Sequence, residues 1–272
     1  MTVAKLAAQS DRKQFEETIA VAQLKTVIID NVFGSITVSG SDDDEIHISA
    51  DIYLNADHNR QLAILQEGVQ VAVETINDTL FIYDGSPWSC KPYPRNRHCK
   101  FEWNGSDQGK YKIAYTIKLP AHLNVSAKTI NDGEIKLAEV KGKVAAHNIN
   151  GGVELTDVHQ VVEAHTINGD LTAFFTRIPD VDGSFYALNG DINAHFPDNL
   201  VAEVLFKSLN GNFYTEFDFN DLPRKNAFTV KSDGGQTRYK LEEQQGISIG
   251  EGGPQLSFET LNGNMFVRKA KP

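Results

Sequence analysis

Cysteine, methionine and tryptophan each occur only twice in this chain of 272 residues. The two cysteines make no zinc site, because no second ligand pair stands at the usual spacing. Positive charge is also scarce: 26 Lys and Arg against 36 Asp and Glu leave a net charge of -10. Such a surface repels phosphate backbones and argues against a nucleic-acid partner. No apolar run approaches the ~18 residues needed to cross a bilayer, so no transmembrane segment is expected. The first ten residues, MTVAKLAAQS, lack the apolar core of a secretory signal but end in small residues of the kind found near a cleavage site. A cytoplasmic chain and an exported chain with its signal removed both fit. There is no P-loop, no G-x-S-x-G and no H-E-x-x-H.

What is abundant is a repeat. Hydrophobic residues make up 40% of the chain, enough for a core. Asn150, Asn168, Asn189, Asn210 and Asn262 are each followed by Gly and preceded by Ile or Leu. Four positions earlier stand Ala146, Ala164, Phe185, Phe206 and Phe258; six earlier, Val144, Val162, Gly183, Val204 and Leu256. Val153, Leu171, Ile192, Phe213 and Met265 follow three positions later. Each unit therefore reads as a strand of period two, a corner at Asn-Gly and a second strand of period two. Gly and Asn suit a corner because they tolerate positive φ. The Ile or Leu before the corner is expected to fill the interior, and the asparagines to stack as amide ladders.

An Asn-Gly between short strands more often marks an antiparallel hairpin. The spacings of 18, 21 and 21 residues between the first four asparagines argue instead for one coil per repeat. Asn131 with Gly133 continues the series with one extra residue, Asp132. Asn77-Asp78 and Phe33-Gly34 look like degenerate copies. The expected fold is thus all-β: a single-domain parallel β-solenoid, or β-helix, of about 18–21-residue coils, taken as right-handed. A short helix is expected around Leu62, Ile64 and Leu65, stopping at Gly68. The expected divisions are an N-terminal segment or cap over 1–23, irregular coils with the helix and a cysteine loop over 24–123, regular coils over 124–217, and irregular coils with a cap over 218–272. Between Thr215 and Leu256 an irregular rung plus a loop is expected.

Three segments carry a family likeness: IDNVFGSITVSGSDDDEI from Ile29, YTIKLPAHLNVSAKTINDGEI from Tyr115, and ISIGEGGPQLSFETLNGNMFV from Ile247. In this order they resemble the bacterial putative-adhesin β-strand-repeat family of cell-envelope proteins. The resemblance implies a periplasmic or extracellular envelope solenoid; the partner expected for such a chain is a cell-surface glycan or another envelope protein. The resemblance supplies no catalytic residue and no cofactor.

Chemistry in a stacked fold would show as a ladder of side chains. Three positions before the corner asparagine stand Lys128, His147, His165, Tyr186 and Lys207, on the outward side. No carboxylate belongs to this column, although Glu163 is close in sequence, so a solvated polar face is expected and no metal site. Asp170 and Asp191 follow their corner glycines; a general acid/base pair is conceivable there, but Asp beside Gly reads as turn chemistry. Asp42, Asp43, Asp44 and Glu45 read as a solvated turn.

The stretch from Trp88 to Trp103 departs most from the repeat. It holds Trp88, Lys91, Tyr93, Arg95, Arg97, Lys100 and Trp103, and aromatic faces beside basic groups suit glycans or anionic polymers. Cys90 and Cys99 within it could close a loop of ~10 residues, adding roughly 2.5–3 kcal/mol; two reduced thiols are the alternative. The leading expectation is a non-catalytic structural or adhesion-type envelope protein. A polysaccharide-acting enzyme on a β-helix and a self-assembling scaffold are the alternatives. Lys269 and Lys271 after the last strand look like protection of an exposed edge.

Overall fold

The computed structural model describes residues 9–92, 109–222, 225–233 and 236–270. Chain order runs β1 (Gln9–Ala20), β2 (Thr26–Asp30), β3 (Ile36–Ser41), β4 (Glu45–Ala56), α1 (Asn59–Gly68), β5 (Val71–Ile76), β6 (Thr79–Asp84) and β7 (Lys110–Pro120). It continues with β8 (Asn124–Thr129), β9 (Ile135–Ala138), β10 (Lys143–Asn150), β11 (Val153–Val158), β12 (Gln160–Asn168), β13 (Leu171–Phe175), β14 (Gly183–Asn189) and β15 (Ile192–Phe196). Then come β16 (Ala202–Asn210), β17 (Phe213–Thr215), β18 (Phe219–Asp221), β19 (Lys225–Asp233), β20 (Gln236–Ile249), β21 (Gln255–Asn262) and β22 (Met265–Lys269).

The strands form two large mixed sheets. One runs β1-β4-β7-β3-β9-β11-β13-β15-β22-β17, the other β18-β20-β16-β21-β14-β12-β10-β8-β2-β6-β5. Within each sheet the strands of successive repeats pair in parallel and in register, so that Asn150 lies opposite Asn168, and Asn168 opposite Asn189. Antiparallel pairs stand at one end of the first sheet and at both ends of the second, while β17 ends the first sheet in parallel with β22. β4 pairs antiparallel with β1 and β7, β5 with β6, and β20 with β16. The parallel stack expected from the repeat therefore does not run the whole length. The helix stands where its apolar spacing predicts it, with His58 as N-cap and Leu65 buried.

Period two sends alternate side chains into the space between the sheets. Val144 and Ala146 meet it from one side, Val153 and Leu155 from the other, and all are fully buried. Aromatic pairs stack rung on rung there: Phe175 on Phe196 at 4.5 Å and Phe185 on Phe258 at 4.8 Å. Each such side chain removed from water contributes about 1.5–3 kcal/mol.

Several expectations need correction. Asn77-Asp78 is the turn of the antiparallel β5–β6 hairpin, with Asn77 at φ 56°, so the hairpin reading holds there. Phe33 does stand in the repeat frame, bridged in parallel to Asn131. The region after Thr215 folds as β18 and the antiparallel β19–β20 pair, not as an irregular rung. β22 is interior, flanked by β15 and β17, so Lys269 guards no edge; Lys271 lies outside the described residues.

The corner itself also differs. None of the corner asparagines has positive φ. Gly is required for a different reason: the glycines stack face to face, leaving no room for a Cβ. A Cβ on Gly151 would meet the Gly133 carbonyl oxygen at 2.2 Å, one on Gly190 that of Gly169 at 2.1 Å, and one on Gly211 that of Gly263 at 1.7 Å. Strict alternation carries on to the corner, so the Ile or Leu before each Asn points outward; Leu209 is 72% exposed. The polar residue before it points inward instead. Thr129 and Thr166 are buried and donate hydroxyls to the carbonyls of Gly34 and Gly151, at 2.8 and 2.9 Å. At Val161–Val162 a bulge puts Val161, not Val162, into the core.

Candidate functional site

The asparagine side chains form the expected ladder. Asn150 donates to Asn131, Asn168 to Asn150, Asn189 to Asn168, Asn262 to Asn189, and Asn210 to Asn262, over 2.7–2.9 Å. The carboxylates after the corner glycines are engaged in the same way. Asp170 Oδ1 accepts the Asp191 amide at 2.8 Å, and Asp191 Oδ1 accepts the Asn264 amide at 2.7 Å. This is stacking chemistry, as the turn reading of Asp170 and Asp191 expects.

The outward column places distinct chemistry on the face of the second sheet. His147 lies directly opposite Lys128 on one side and His165 on the other. The His147 and His165 rings meet edge to face at 5.9 Å, and His165 meets Tyr186 at 4.5 Å. Period two then adds Glu163, two residues before His165 on the same strand. Its Oε2 lies 3.5 Å from His147 Nε2. The ligand-type atoms of His147, Glu163 and His165 all lie within 4.8 Å of one another. His165 Nε2 is buried without a hydrogen-bond partner. Burial first, then the charge on His147, holds the His165 imidazole below its ordinary pKa, while Glu163 opposes the shift. Lys128 turns its charge to Asp30 at 3.7 Å. Sequence reasoning left Glu163 outside the cluster because it compared one column across strands; the signal was its two-residue spacing from His165.

Lys128, His147 and His165 border a cleft of about 890 Å³, while Glu163 and Tyr186 line, with His165, a smaller one of about 400 Å³ beside it. The floor of the larger cleft includes Ile130, Ile149 and Ile167, the outward aliphatic residues before the corners. Its opposite wall includes Cys90, Lys91 and Pro92.

Of the aromatic and basic stretch, Trp88 and Lys91 are described, and both have structural partners. Trp88 Nε1 donates to the Tyr111 hydroxyl at 3.0 Å, which donates to buried Asp84 Oδ2 at 2.6 Å. Asp84 also accepts from the amide and hydroxyl of Ser86. Burial and the Asp84 carboxylate push the Tyr111 hydroxyl far above the ordinary tyrosine range. Lys91 Nζ lies 2.6 Å from Glu74, which also accepts from Tyr83 at 2.7 Å. Tyr93, Arg95, Arg97, Lys100, Trp103 and Cys99, with the pairing of Cys90 to Cys99, lie outside the described residues. In the acidic turn, Asp43 pairs with Lys118 at 2.5 Å, which holds the Asp43 carboxyl below its usual range.

No family model and no curated protein matches the chain. Solved structures that match the chain include a "putative cell adhesion protein" from Clostridium sporogenes, at 10% identity and a TM-score of 0.41, covering 96% of this chain and 100% of that one. A "putative adhesin" from Parabacteroides distasonis matches at 13% identity and a TM-score of 0.29, covering 95% and 97%. A "putative lipid binding protein" from the same species matches at 16% identity and 0.28, covering 96% and 97%. Among the described residues no helix is long and apolar enough to cross a membrane.

Proposed function

We propose that the chain is a non-catalytic, envelope-associated β-solenoid of the adhesion type, its parallel repeats serving as coils. The observation that carries this reading is the use made of the repeat's polar groups. The corner asparagines bind one another, and the only carboxylate pair of the repeat that suited acid/base work holds backbone amides of the next rung. Groups committed to rung-to-rung bonds build a rod; they are poorly placed to move protons in a substrate. The envelope setting rests on the resemblance of the three segments beginning at Ile29, Tyr115 and Ile247.

The partner in this reading is a surface glycan or anionic polymer, held by the stretch from Trp88 to Trp103. Trp88 and Lys91 anchor the start of that stretch through Tyr111 and Glu74. Recognition then falls to Tyr93, Arg95, Arg97, Lys100 and Trp103, by stacking and charge-assisted hydrogen bonds.

The test is retention on immobilised neutral and acidic polysaccharides, run beside an assay for released reducing ends. Retention without release, weakened by Arg95→Ala with Arg97→Ala, is the expected result. Release of reducing ends that stops in Asp170→Asn would establish the polysaccharide-acting enzyme instead. Retention unchanged in the arginine variant would remove the loop from recognition.

A further inference from the structure

We propose that His147, Glu163 and His165 form a binding site for a divalent transition metal of the zinc type on the outer face of the second sheet. Four observations carry it. Two imidazoles and one carboxylate are a donor set that suits zinc, and three protein ligands leave a further position open. Their ligand-type atoms already lie within 4.8 Å of one another. Around a tetrahedral ion with bonds of about 2.0–2.2 Å, neighbouring donors stand roughly 3.3–3.6 Å apart. His147 Nε2 and Glu163 Oε2 are at 3.5 Å without any movement. The remaining closure, from separations of at most 4.8 Å, is within reach of side-chain rotation.

The second observation is the state of His165. Its Nε2 is buried with no hydrogen-bond partner. Leaving a buried polar atom unmet costs about 1–3 kcal/mol, and a bound cation would satisfy it. The third is preorganisation. His147 and His165 are opposite one another on paired parallel strands, and the Tyr186 ring packs against the far side of His165. The fourth is access: His147 and His165 line the cleft over this face, and Glu163 and His165 line a smaller one beside it, so the cluster stands between two surface openings. Nearby positive charge does not block the site, because Lys128 is directed to Asp30.

The site goes beyond the adhesion reading and does not depend on it. A metal with an open position in a surface groove can accept a carboxylate or imidazole from outside the chain, which makes the groove a point of metal-bridged attachment.

The experiment is equilibrium dialysis of the full, chelator-treated chain against Zn²⁺, with Co²⁺ absorption as a second readout. One equivalent of Zn²⁺ is expected, with a Co²⁺ spectrum of low coordination number. Affinity should fall by a factor on the order of 10 to 100 in each of His147→Ala, His165→Ala and Glu163→Gln. It should be unchanged in His122→Ala, a surface histidine elsewhere. Thermal melts of the metal-free variants separate loss of ligand from loss of fold, and Glu163→Gln keeps the side-chain shape. No bound equivalent in the parent chain, or affinity unchanged in the His147→Ala/His165→Ala double variant, would overturn the proposal.

Discussion

Asn262 donates its side-chain amide to Asn189 Oδ1 at 2.7 Å across 73 residues of sequence. Asn210 is only 21 residues from Asn189, yet lies one rung further out and donates to Asn262 instead, at 2.8 Å. The last repeat of the chain is thus wedged between two earlier ones. β21 pairs with β14 on one side and β16 on the other, and β22 with β15 and β17.

The ladder makes a graded prediction. Asn189→Ala removes two side-chain bonds, one given to Asn168 and one received from Asn262. Asn210→Ala removes only its bond to Asn262. At about 0.5–1.5 kcal/mol per net bond, the first should cost about 1–3 kcal/mol and the second about half as much. Urea unfolding of the two variants side by side measures the ratio, and equal losses would show that the ladder bonds contribute nothing separately.

The inverted corner predicts opposite responses from adjacent columns. Leu209→Ser replaces an outward, mostly exposed side chain and should change stability by no more than ~0.5 kcal/mol. Thr166→Val removes a buried hydroxyl bonded to the Gly151 carbonyl and should cost about 1–3 kcal/mol. Thermal unfolding decides between this arrangement and the reverse, in which the leucine would be the costly change.

Acid should find His165. Burial and the neighbouring His147 lower its folded pKa from the ordinary 6.5. The neutral ring's contribution is fully present above that ordinary value and is lost as pH falls through it towards the lower folded value. The facing groups are His147, Tyr186 and Glu163, of which only Glu163 opposes the shift. The urea midpoint of the metal-free chain should therefore drop on going from about pH 7 to 5, and the slope should shrink in His165→Gln. His159, lowered by burial and then by Arg177, leaves a residual slope. An identical pH profile in His165→Gln would count against this assignment.

Tyr111→Phe removes the hydroxyl that links Trp88 to Asp84. It leaves a buried carboxylate with one donor fewer and takes the hydroxyl acceptor from the indole N–H, at a cost of about 2–4 kcal/mol. Denaturant unfolding measures the loss. A loss below ~0.5 kcal/mol would mean that water replaces the hydroxyl at both partners.

Local rules were legible from the residues alone. Alternation placed the strands and the inward columns at Val144 and Ala146, apolar spacing before Gly68 placed the helix, and the similar spacing of Asn131 through Asn189 aligned them rung on rung. Rules that depend on partners were not. Asn77 sits in the same local frame as Asn168, and only its pairing with the strand that follows makes it a hairpin turn. Nothing around Asn210 or Asn262 says which lies closer to Asn189, because both offer the same corner. The Ile or Leu before the corner reads as an interior residue until the inward threonine and the Gly151 carbonyl that receives its hydroxyl are in view. At the candidate site, the histidine column followed from register, whereas Glu163 entered only through the strand alternation that puts it beside His147.

The wedged repeat also has a bearing on how the chain can be assembled during synthesis. Among the described residues β16 pairs with β20 and β21, both of which leave the ribosome after it. The rungs through β14 and β15 can close as they emerge, but the next rung to be made has no surface to join. β20 can join its outer edge first, but the edge that faces the earlier rungs stays open until residues 255–269 arrive and fill the place between. Growth by adding each new unit to the last would place Asn210 against Asn189. This molecule instead completes itself by intercalation, and residues 255–269 act as the keystone.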